Sequence, residues 1–237
     1  PAFAAGLAQA VQVARDNGIA SFAVANAHTC TSLGFFTEQI AAQGLIAIGM
    51  TNASPVVAPP GGKAAVIGTN PIAMTVPGKD APRLHFDFST SAVALGKITV
   101  AKAAGEPIPL GWAVDADGQP TTDPEAALKG ALVSAGGYKG WGFGLMVELL
   151  AAGMTGSVNS LDVKGLKLPD GPPHGLGQFY ILMDPTTYGD KFDDRFARIA
   201  EAVALQDGAR IPGADRKAMD VIDVPNALWE LVEKLAG

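Results

Sequence analysis

The first fifty residues alternate between segments of helical periodicity and short apolar runs, and this alternation restricts the possible folds more than any other feature. Apolar residues recur at helical spacing in the opening segment, at Phe3, Leu7, Val11 and Ala14. Residues 19–27 and 45–51 are short apolar runs typical of buried strands, and residues 35–43 form a second helical segment between them. The order helix, strand, helix, strand predicts an α/β layer architecture.

The next predicted strands, residues 64–67, 72–76 and 84–88, are joined by short turns and not by helices. Parallel neighbours need long crossover connections, so these strands are predicted to be partly antiparallel. We therefore expect a mixed α/β fold, with one domain over residues 1–237. Further helices are predicted at 91–104, 124–129 (capped by Asp123), 141–152, 192–205 and 227–235, with a strand at 178–183.

Charge and composition exclude several classes of function. The 17 basic and 23 acidic residues give a net charge of −6, and there is no basic run that would follow a phosphate backbone, so no nucleic-acid partner is expected. The apolar runs are broken by glycine and fall well short of the ~18 residues that span a bilayer, so no membrane partner is expected. The single cysteine, Cys30, cannot form an internal disulfide, which favours a cytoplasmic protein.

His28 is the strongest candidate for acid–base chemistry. It directly follows a predicted buried strand, at the kind of strand end where α/β sheets place ligands, and imidazole moves protons near pH 7. The alternative, a hydrogen-bonded loop histidine, stays open. His85 is expected to be structural and His174 to be a loop residue. No two histidines have helical i, i+4 spacing and there is no Cys-x-x-Cys, so no metal site is predicted.

Three other segments carry polar groups that would suit a ligand. Gly136-Gly137-Tyr138-Lys139 leads into a helix and would suit a phosphate or carboxylate, but it lacks the spacing of a Rossmann fingerprint. The alternative, a flexible surface turn, stays open. Thr69 and Asn70 offer directed hydrogen bonds to a polar substrate, or form an ordinary turn. Asp87 ends a strand, where it would bind ribose hydroxyls or cap the following helix. Cys30 is expected to be a small buried side chain.

Six segments occur in the order and approximate spacing of one family. They are Gly61-Gly62 with residues 67–73 (IGTNPIA), residues 86–91 (FDFSTS), residues 96–98 (GKI), residues 115–124 (DADGQPTTDP), residues 136–140 (GGYKG) and residues 210–213 (RIPG). In this pattern the chain resembles the malate/L-lactate dehydrogenase-type NAD(P)-dependent oxidoreductases, which include ureidoglycolate dehydrogenase and delta-1-piperideine-2-carboxylate reductase.

The resemblance implies a mixed, partly antiparallel sheet flanked by helices that binds nicotinamide without a Rossmann motif. It also implies NAD or NADP as cofactor, and a homodimer with its active site near the subunit interface. His28 matches a catalytic histidine, and Thr69 and Asn70 match a substrate-binding loop. The positions that match cofactor-binding residues are Ser54, Asp87, Phe88, Ser89, Lys139, Gly140, Gly213 and Arg216.

The function implied is hydride transfer between NAD(P)H and a small 2-oxo or 2-hydroxy acid, and three alternatives remain. The first is a reductase of cyclic imino acids, delta-1-piperideine- or pyrroline-2-carboxylate; it is disfavoured because that branch has an acid where this chain has Lys97. The second is a truncated, inactive nucleotide-binding relative, because the family's upstream Ser-His-Gly segment, whose histidine is proposed as proton donor, and the arginine after it are expected to be missing before Pro1. The third is a binding module without cofactor. Ser89, where the family commonly has Ala, is a milder departure.

Overall fold

The computed structural model describes residues 1–164, 172–214 and 221–236. Its α-helices are α1 (Ala2–Asn17), α2 (Gly34–Ala41), α3 (Leu95–Ala104), α4 (Pro124–Lys129), α5 (Tyr138–Glu148), α6 (Phe192–Ala204) and α7 (Asn226–Ala236). Its strands are β1 (Ile19–Ala27), β2 (Ile46–Thr51), β3 (Ile72–Val76), β4 (Leu84–Phe88), β5 (Ala113–Val114), β6 (Pro120–Thr121), β7 (Ala131–Leu132) and β8 (Leu176–Met183). A π-helical turn, Leu149–Gly153, continues α5, and 3-10 turns lie at Ser160–Asp162 and Pro185–Tyr188.

Within the described residues, the larger sheet has five strands in the order β1-β8-β2-β3-β4, and each neighbouring pair is antiparallel. The strand β8, from late in the chain, lies between β1 and β2. The links between β2, β3 and β4 contain no helix, as the sequence predicted. Helices pack against this sheet, so the predicted fold class, a mixed α/β fold with a partly antiparallel sheet, is confirmed.

Helices α1 and α2 cover one face of the larger sheet. Alternate residues of a strand point to opposite faces, and on β8 Tyr180 and Leu182 point toward these helices. Tyr180 is fully buried, and its ring lies 5.1 Å from the ring of Phe3 in α1. Each large apolar side chain buried here stabilises the fold by roughly 1.5–3 kcal/mol.

The opposite face of the sheet is covered by α5 and the π-helical turn. Phe179 of β8 and Met50 of β2 pack there against Val147 and Ala151. Gly177 of β8 comes so close to this turn that a Cβ atom at position 177 would overlap the carbonyl oxygen of Ala151. The absence of a side chain at Gly177 therefore allows the helix to lie directly on the strand.

A smaller sheet, in the order β6-β5-β7, packs with α3 and α4 around a second core. Its central side chains include Val57, Ile98 and Leu132, each buried. The cap predicted for α4 is present, since the Asp123 carboxylate accepts a hydrogen bond from the Glu125 amide at 2.9 Å. None of the helices in the described part of the chain is long and apolar enough to span a membrane.

Several elements differ from the sequence prediction. Residues 64–67 form no strand; Ile67 makes an isolated bridge to Val57. Helix α3 begins at Leu95 and not at residue 91, because the backbone of Ser91 pairs with Ser134. The helix predicted at 141–152 begins earlier, at Tyr138, and becomes π-helical from Leu149. The two-residue strands of the smaller sheet were not predicted, because they are too short to show a periodicity.

Candidate active site

One end of the larger sheet gathers most of the residues that the sequence singled out. Because neighbouring strands are antiparallel, β1, β2 and β4 finish at the end where β8 and β3 begin. The register shows this directly, since Ala27 pairs with Leu176 and Ile72 pairs with Phe88. This sheet end therefore carries His28 after β1, Ser54 after β2, Thr69 and Asn70 before β3, and Asp87, Phe88 and Ser89 at the end of β4.

The loop that follows His28 runs from β1 to β4 across this sheet end. The Asp87 carboxylate fixes it there, since its Oδ2 accepts a hydrogen bond from the Gly34 amide at 2.8 Å and from the Ser32 hydroxyl at 3.5 Å. A carboxylate at the N-terminus of a helix is also stabilised by the helix dipole. Asp87 thus caps α2. The interpretation that it caps the helix following it in sequence is wrong.

His28 is exposed, and its ring stacks on that of His174 with a centroid separation of 3.9 Å and an interplanar angle of 33°. His174 lies in the segment that leads into β8 and is 8% exposed. Burial lowers the pKa of His174, and a positive charge on His28 lowers it further. His174 is a loop residue, as expected from the sequence. Its contact with His28 was not expected, because the pairing of β8 with β1 is not visible in local patterns.

Cys30 lies in the same loop, half-buried against the core under α1 and α2. Burial raises the pKa of its thiol to about 11, and the charge of Asp87 contributes in the same direction. The group is therefore a neutral thiol near pH 7. This environment agrees with the packing role that the sequence suggested.

Asn70 is fully buried in a left-handed backbone conformation, with φ of 38°. Its side-chain amide donates hydrogen bonds to the Gly144 carbonyl at 3.0 Å and to Glu148 Oε2 at 2.8 Å. The backbone carbonyl of Thr69 accepts a hydrogen bond from the Thr90 amide at 2.9 Å. The amide group of Asn70 thus ties the loop before β3 to α5, and Thr69, which is half-buried, lies nearer the surface.

Glu148 is a buried carboxylate that the sequence analysis missed. It accepts hydrogen bonds from Asn70 and, at 2.6 and 2.5 Å, from the amide and hydroxyl of Ser160. A single acidic residue within the apolar segment 141–152 is the signal that would have identified it. An ionised carboxylate can accept all of these hydrogen bonds. Glu148 therefore joins the loop of Asn70 and the loop of Ser160 to the end of α5.

The segment after Asp87 lies beside the turn that contains Lys139. Ser91 and Ser134 form an antiparallel bridge, and the Ala92 amide donates to the Val133 carbonyl at 2.8 Å. In antiparallel pairing the residues before Ser91 lie opposite those after Ser134. Ser89 therefore lies on the same side as the turn at Gly136 and Gly137, where φ is 65° at both positions.

The other predicted cofactor positions are distributed around these two segments. Gly140, in the first turn of α5, has no space for a side chain, because a Cβ atom there would overlap the Ala135 carbonyl. Phe88 is 52% exposed and stacks on Phe86 at 4.7 Å. The Ser89 hydroxyl accepts a hydrogen bond from that of Ser91 at 3.0 Å.

Gly213 lies against β4, the edge strand of the larger sheet. It has φ of 85°, and a Cβ atom there would come within 2.8 Å of the His85 carbonyl oxygen. The preceding Pro212 carbonyl accepts a hydrogen bond from the His85 amide at 2.9 Å. The structure therefore brings Gly213 to the strand that carries Asp87. Arg216, the last predicted cofactor residue, lies outside the described residues.

A family model for malate/L-lactate dehydrogenase matches residues 1–223. The chain belongs to this family. It is an NAD(P)-dependent oxidoreductase, so the family and the class of enzyme that the six sequence segments predicted are both confirmed.

The similarity to individual members of the malate/L-lactate dehydrogenase family extends over nearly all of this chain. It is 39% identical over 233 residues to (2R)-3-sulfolactate dehydrogenase (NADP(+)) of Chromohalobacter salexigens, covering 96% of this chain and 70% of that protein. It is 40% identical over 240 residues to Delta(1)-pyrroline-2-carboxylate/Delta(1)-piperideine-2-carboxylate reductase of Pseudomonas aeruginosa, covering 96% and 71%. Among solved structures, delta1-piperideine-2-carboxylate reductase from Pseudomonas syringae superposes with a TM-score of 0.88 at 35% identity, covering 99% of this chain and 73% of that chain.

The residues at this sheet end fit the cofactor that the family uses. A nicotinamide dinucleotide carries anionic phosphates and several hydrogen-bonding groups. The exposed Lys139, with the N-terminus of α5 beside it, offers positive charge and free backbone N–H groups. The hydroxyl of Ser54 is buried and has no hydrogen-bond partner within the described residues, so it retains its full capacity to bind a ligand group.

Proposed function

We propose that this enzyme transfers a hydride between NADPH and a small 2-oxo or 2-hydroxy acid at the sheet end that carries His28 and Asp87. The observation that supports this most directly is the pairing of Ser91 with Ser134. That bridge sets the predicted cofactor segment, Asp87 to Ser89, beside the Lys139 turn, while the loop anchored by Asp87 leads back to His28. The preference for NADPH follows the NADP(+) in the name of the sulfolactate dehydrogenase relative.

Each group then has a specific task. The nicotinamide cofactor, when bound, donates or accepts the hydride. His28, exposed at the end of β1, gives a proton to the substrate oxygen in reduction and removes it in oxidation. Thr69 orients the substrate from the loop before β3, and the buried Asn70 keeps that loop in position through its bonds to α5.

The cofactor is held by the remaining predicted positions. Lys139 and the glycine turn before it bind a phosphate, and Gly140 allows α5 to begin close to Ala135. Asp87 and Ser89 offer oxygen atoms to ribose hydroxyls, and Ser54 offers its unpartnered hydroxyl. Phe88 supplies an exposed aromatic surface. Gly213 and Arg216 contribute from the segment that follows α6.

A reductase of cyclic imino acids is the second candidate, favoured by the names of the Pseudomonas relatives. Lys97 argues against it. This exposed cation lies in the first turn of α3, where the helix dipole also favours anions. The protonated cyclic imino acid carries a cationic iminium beside its carboxylate and has no net charge. A 2-oxo acid with a second anionic group carries two negative charges and would gain more from a lysine.

The assay that tests the proposal measures NADPH and NADH oxidation with pyruvate, oxaloacetate, 3-sulfopyruvate and delta-1-piperideine-2-carboxylate. We expect the highest kcat/KM for a 2-oxo acid with a second anionic group. The Lys97→Asp variant should shift the ratio of kcat/KM values toward the cyclic imine. A higher kcat/KM for the imine in the unmodified chain would establish the second candidate instead. Cofactor binding without turnover of any substrate would support an inactive nucleotide-binding relative.

The role of His28 is tested by replacing it. His28→Ala should lower kcat by roughly 10²–10⁴-fold, the usual contribution of a general acid or base. The dissociation constant for NADPH should change little, because the predicted phosphate-binding turn at Lys139 is a separate segment. Unchanged turnover in His28→Ala would remove this residue from the mechanism.

The proposal includes a homodimer in the cytoplasm, as the resemblance implies. Large apolar side chains lie exposed along α5 and the π-helical turn, and these are Tyr138, Phe143, Leu145, Met146 and Leu149. Contiguous apolar surface of this kind is typical of protein interfaces. Light scattering after size exclusion should give twice the 24.1 kDa chain mass. A monomer mass that persists at high protein concentration would contradict the dimer.

A further inference from the structure

The two histidines at the end of the larger sheet lie ring against ring, in a close tilted contact with unequal exposure. Their ring centroids are 3.9 Å apart and the planes are inclined by only 33°. His174 is 8% exposed, whereas His28 is exposed at the surface. One ring is thus part of the protein interior, and the other lies over it where a substrate can reach it.

The backbone that follows His174 is held by the sheet and by a contact with Val158. Leu176, two residues on, begins β8 and pairs with Ala27. The carbonyl of Gly175 accepts a hydrogen bond from the Val158 amide at 2.9 Å, and Gly175 has φ of 63°. A Cβ atom on Gly175 would lie 2.9 Å from Val158 Cγ2, so the segment is packed closely. The two residues that follow His174 are therefore fixed by the sheet and by Val158, and they fix the position from which its ring projects.

The surroundings of His174 favour its neutral form. Its Nδ1 is buried and has no hydrogen-bond partner among the described residues. A buried imidazolium with an unpaired N–H would be costly, whereas a neutral ring with its proton on Nε2 leaves only a lone pair unpaired at Nδ1. Burial and the neighbouring His28 both lower the pKa of His174, in agreement with this form. A neutral flat ring can support His28 whether or not His28 carries its proton.

We propose that His174 is a positioning residue for His28: its fixed, buried ring is the platform that sets the orientation of the His28 ring and so the direction in which His28 exchanges its proton. The inference rests on the proposed role of His28. A small error in the direction of a catalytic group costs up to ~10²-fold in rate, so the platform should affect kcat more than substrate or cofactor binding.

The test is a double-mutant cycle with two replacements at position 174. His174→Gln keeps polarity but lacks a stacking ring, and it should lower kcat about tenfold or more with the NADPH dissociation constant unchanged. His174→Phe keeps a flat ring, and it should restore kcat to within about threefold of the unmodified enzyme. In the His28→Ala background, His174→Gln should have no further effect on kcat, because the group that it positions is already absent.

Several outcomes would overturn the proposal. Equal losses of kcat in His174→Gln and His174→Phe would show that stacking is not what matters. Additive losses in the His28→Ala background would show that His174 acts on the fold in general and not through His28. Circular dichroism and thermal unfolding of each variant establish that the chain is folded. If His28→Ala itself retains full turnover, the proposed role of His28 fails. If His28→Ala loses turnover but the variants at position 174 keep the kcat of the unmodified enzyme, that role stands and this inference fails.

Discussion

The side-chain amide of Asn70 donates a hydrogen bond of 2.8 Å to the buried carboxylate of Glu148, which joins the loop before β3 to the end of α5. The same carboxylate accepts two hydrogen bonds from Ser160. Glu148 is 9% exposed and Asn70 is fully buried. This carboxylate therefore fixes, from inside the protein, a loop that we place at the substrate.

Replacing Glu148 by Gln should lower the free energy of unfolding by about 1–3 kcal/mol. The glutamine NH2 group cannot accept a hydrogen bond, so either Asn70 or Ser160 is left with an unpaired buried donor. Urea unfolding measures the change. Glu125→Gln is the control, because Glu125 is an exposed partner of Lys129 at 3.0 Å, and its replacement should leave the unfolding midpoint unchanged. Equal midpoints for the two variants would contradict the role given to Glu148.

Two glycines with different surroundings, one crowded and one open, predict opposite effects of a substitution by alanine. Gly177→Ala should destabilise the fold by several kcal/mol, because the new Cβ atom would overlap the Ala151 carbonyl and the backbone would have to move. Gly142→Ala, in α5, has no atom within 4 Å of its Cβ position and should stabilise the fold by about 0.5–1 kcal/mol. Thermal unfolding of both variants checks the sign, and a tolerated Gly177→Ala would show that the helix does not lie on this strand.

The turn before α5 predicts a salt-dependent effect on cofactor affinity. Lys139→Ala should raise the NADPH dissociation constant about tenfold at low ionic strength, because one charge-assisted contact to a phosphate is lost. The difference should shrink in high salt. Lys129→Ala, an exposed lysine of α4, is the matched control and should have no effect. Titration of NADPH fluorescence measures both, and an unchanged dissociation constant for Lys139→Ala would remove this turn from the binding site.

The sequence predicted the locally determined elements well. The bounds of β1, β3, β4 and α4 match the apolar runs and the cap at Asp123, since these depend on residues that are close in sequence. His28 and Asp87 were identified because each lies at a strand end. In these places local pattern and final structure agree.

What the sequence could not show depends on contacts between distant segments. The insertion of β8 between β1 and β2 brings Thr51 to within 2.8 Å of the Gly177 carbonyl, across 126 positions of the chain. The same insertion places His174 under His28. Likewise, the Ser91–Ser134 bridge both delays the start of α3 and aligns the two predicted cofactor segments. Neither pairing leaves a periodic signal in the residues that make it.

Cys30 provides a pH-dependent test of the loop that Asp87 anchors. Burial, with a contribution from Asp87, raises the pKa of its thiol to about 11. Only the thiolate reacts with iodoacetamide, and an unfolded cysteine has a pKa near ~8.5. At pH 8 the folded protein should therefore be alkylated roughly two orders of magnitude more slowly than the chain in guanidinium, and its rate should rise about tenfold per pH unit up to pH ~10.

Replacing Asp87 by Asn should increase the alkylation rate of the folded protein, because removal of the negative charge lowers the pKa of Cys30. A displaced loop would also raise the rate, so the electrostatic effect is measured with the loop in place. Asn retains an oxygen that can accept the Gly34 hydrogen bond, so α2 should keep its cap. Mass spectrometry of samples quenched over time gives the rates. A folded chain that is alkylated as fast as the unfolded one at pH 8 would show that the loop from His28 to Gly34 does not cover Cys30.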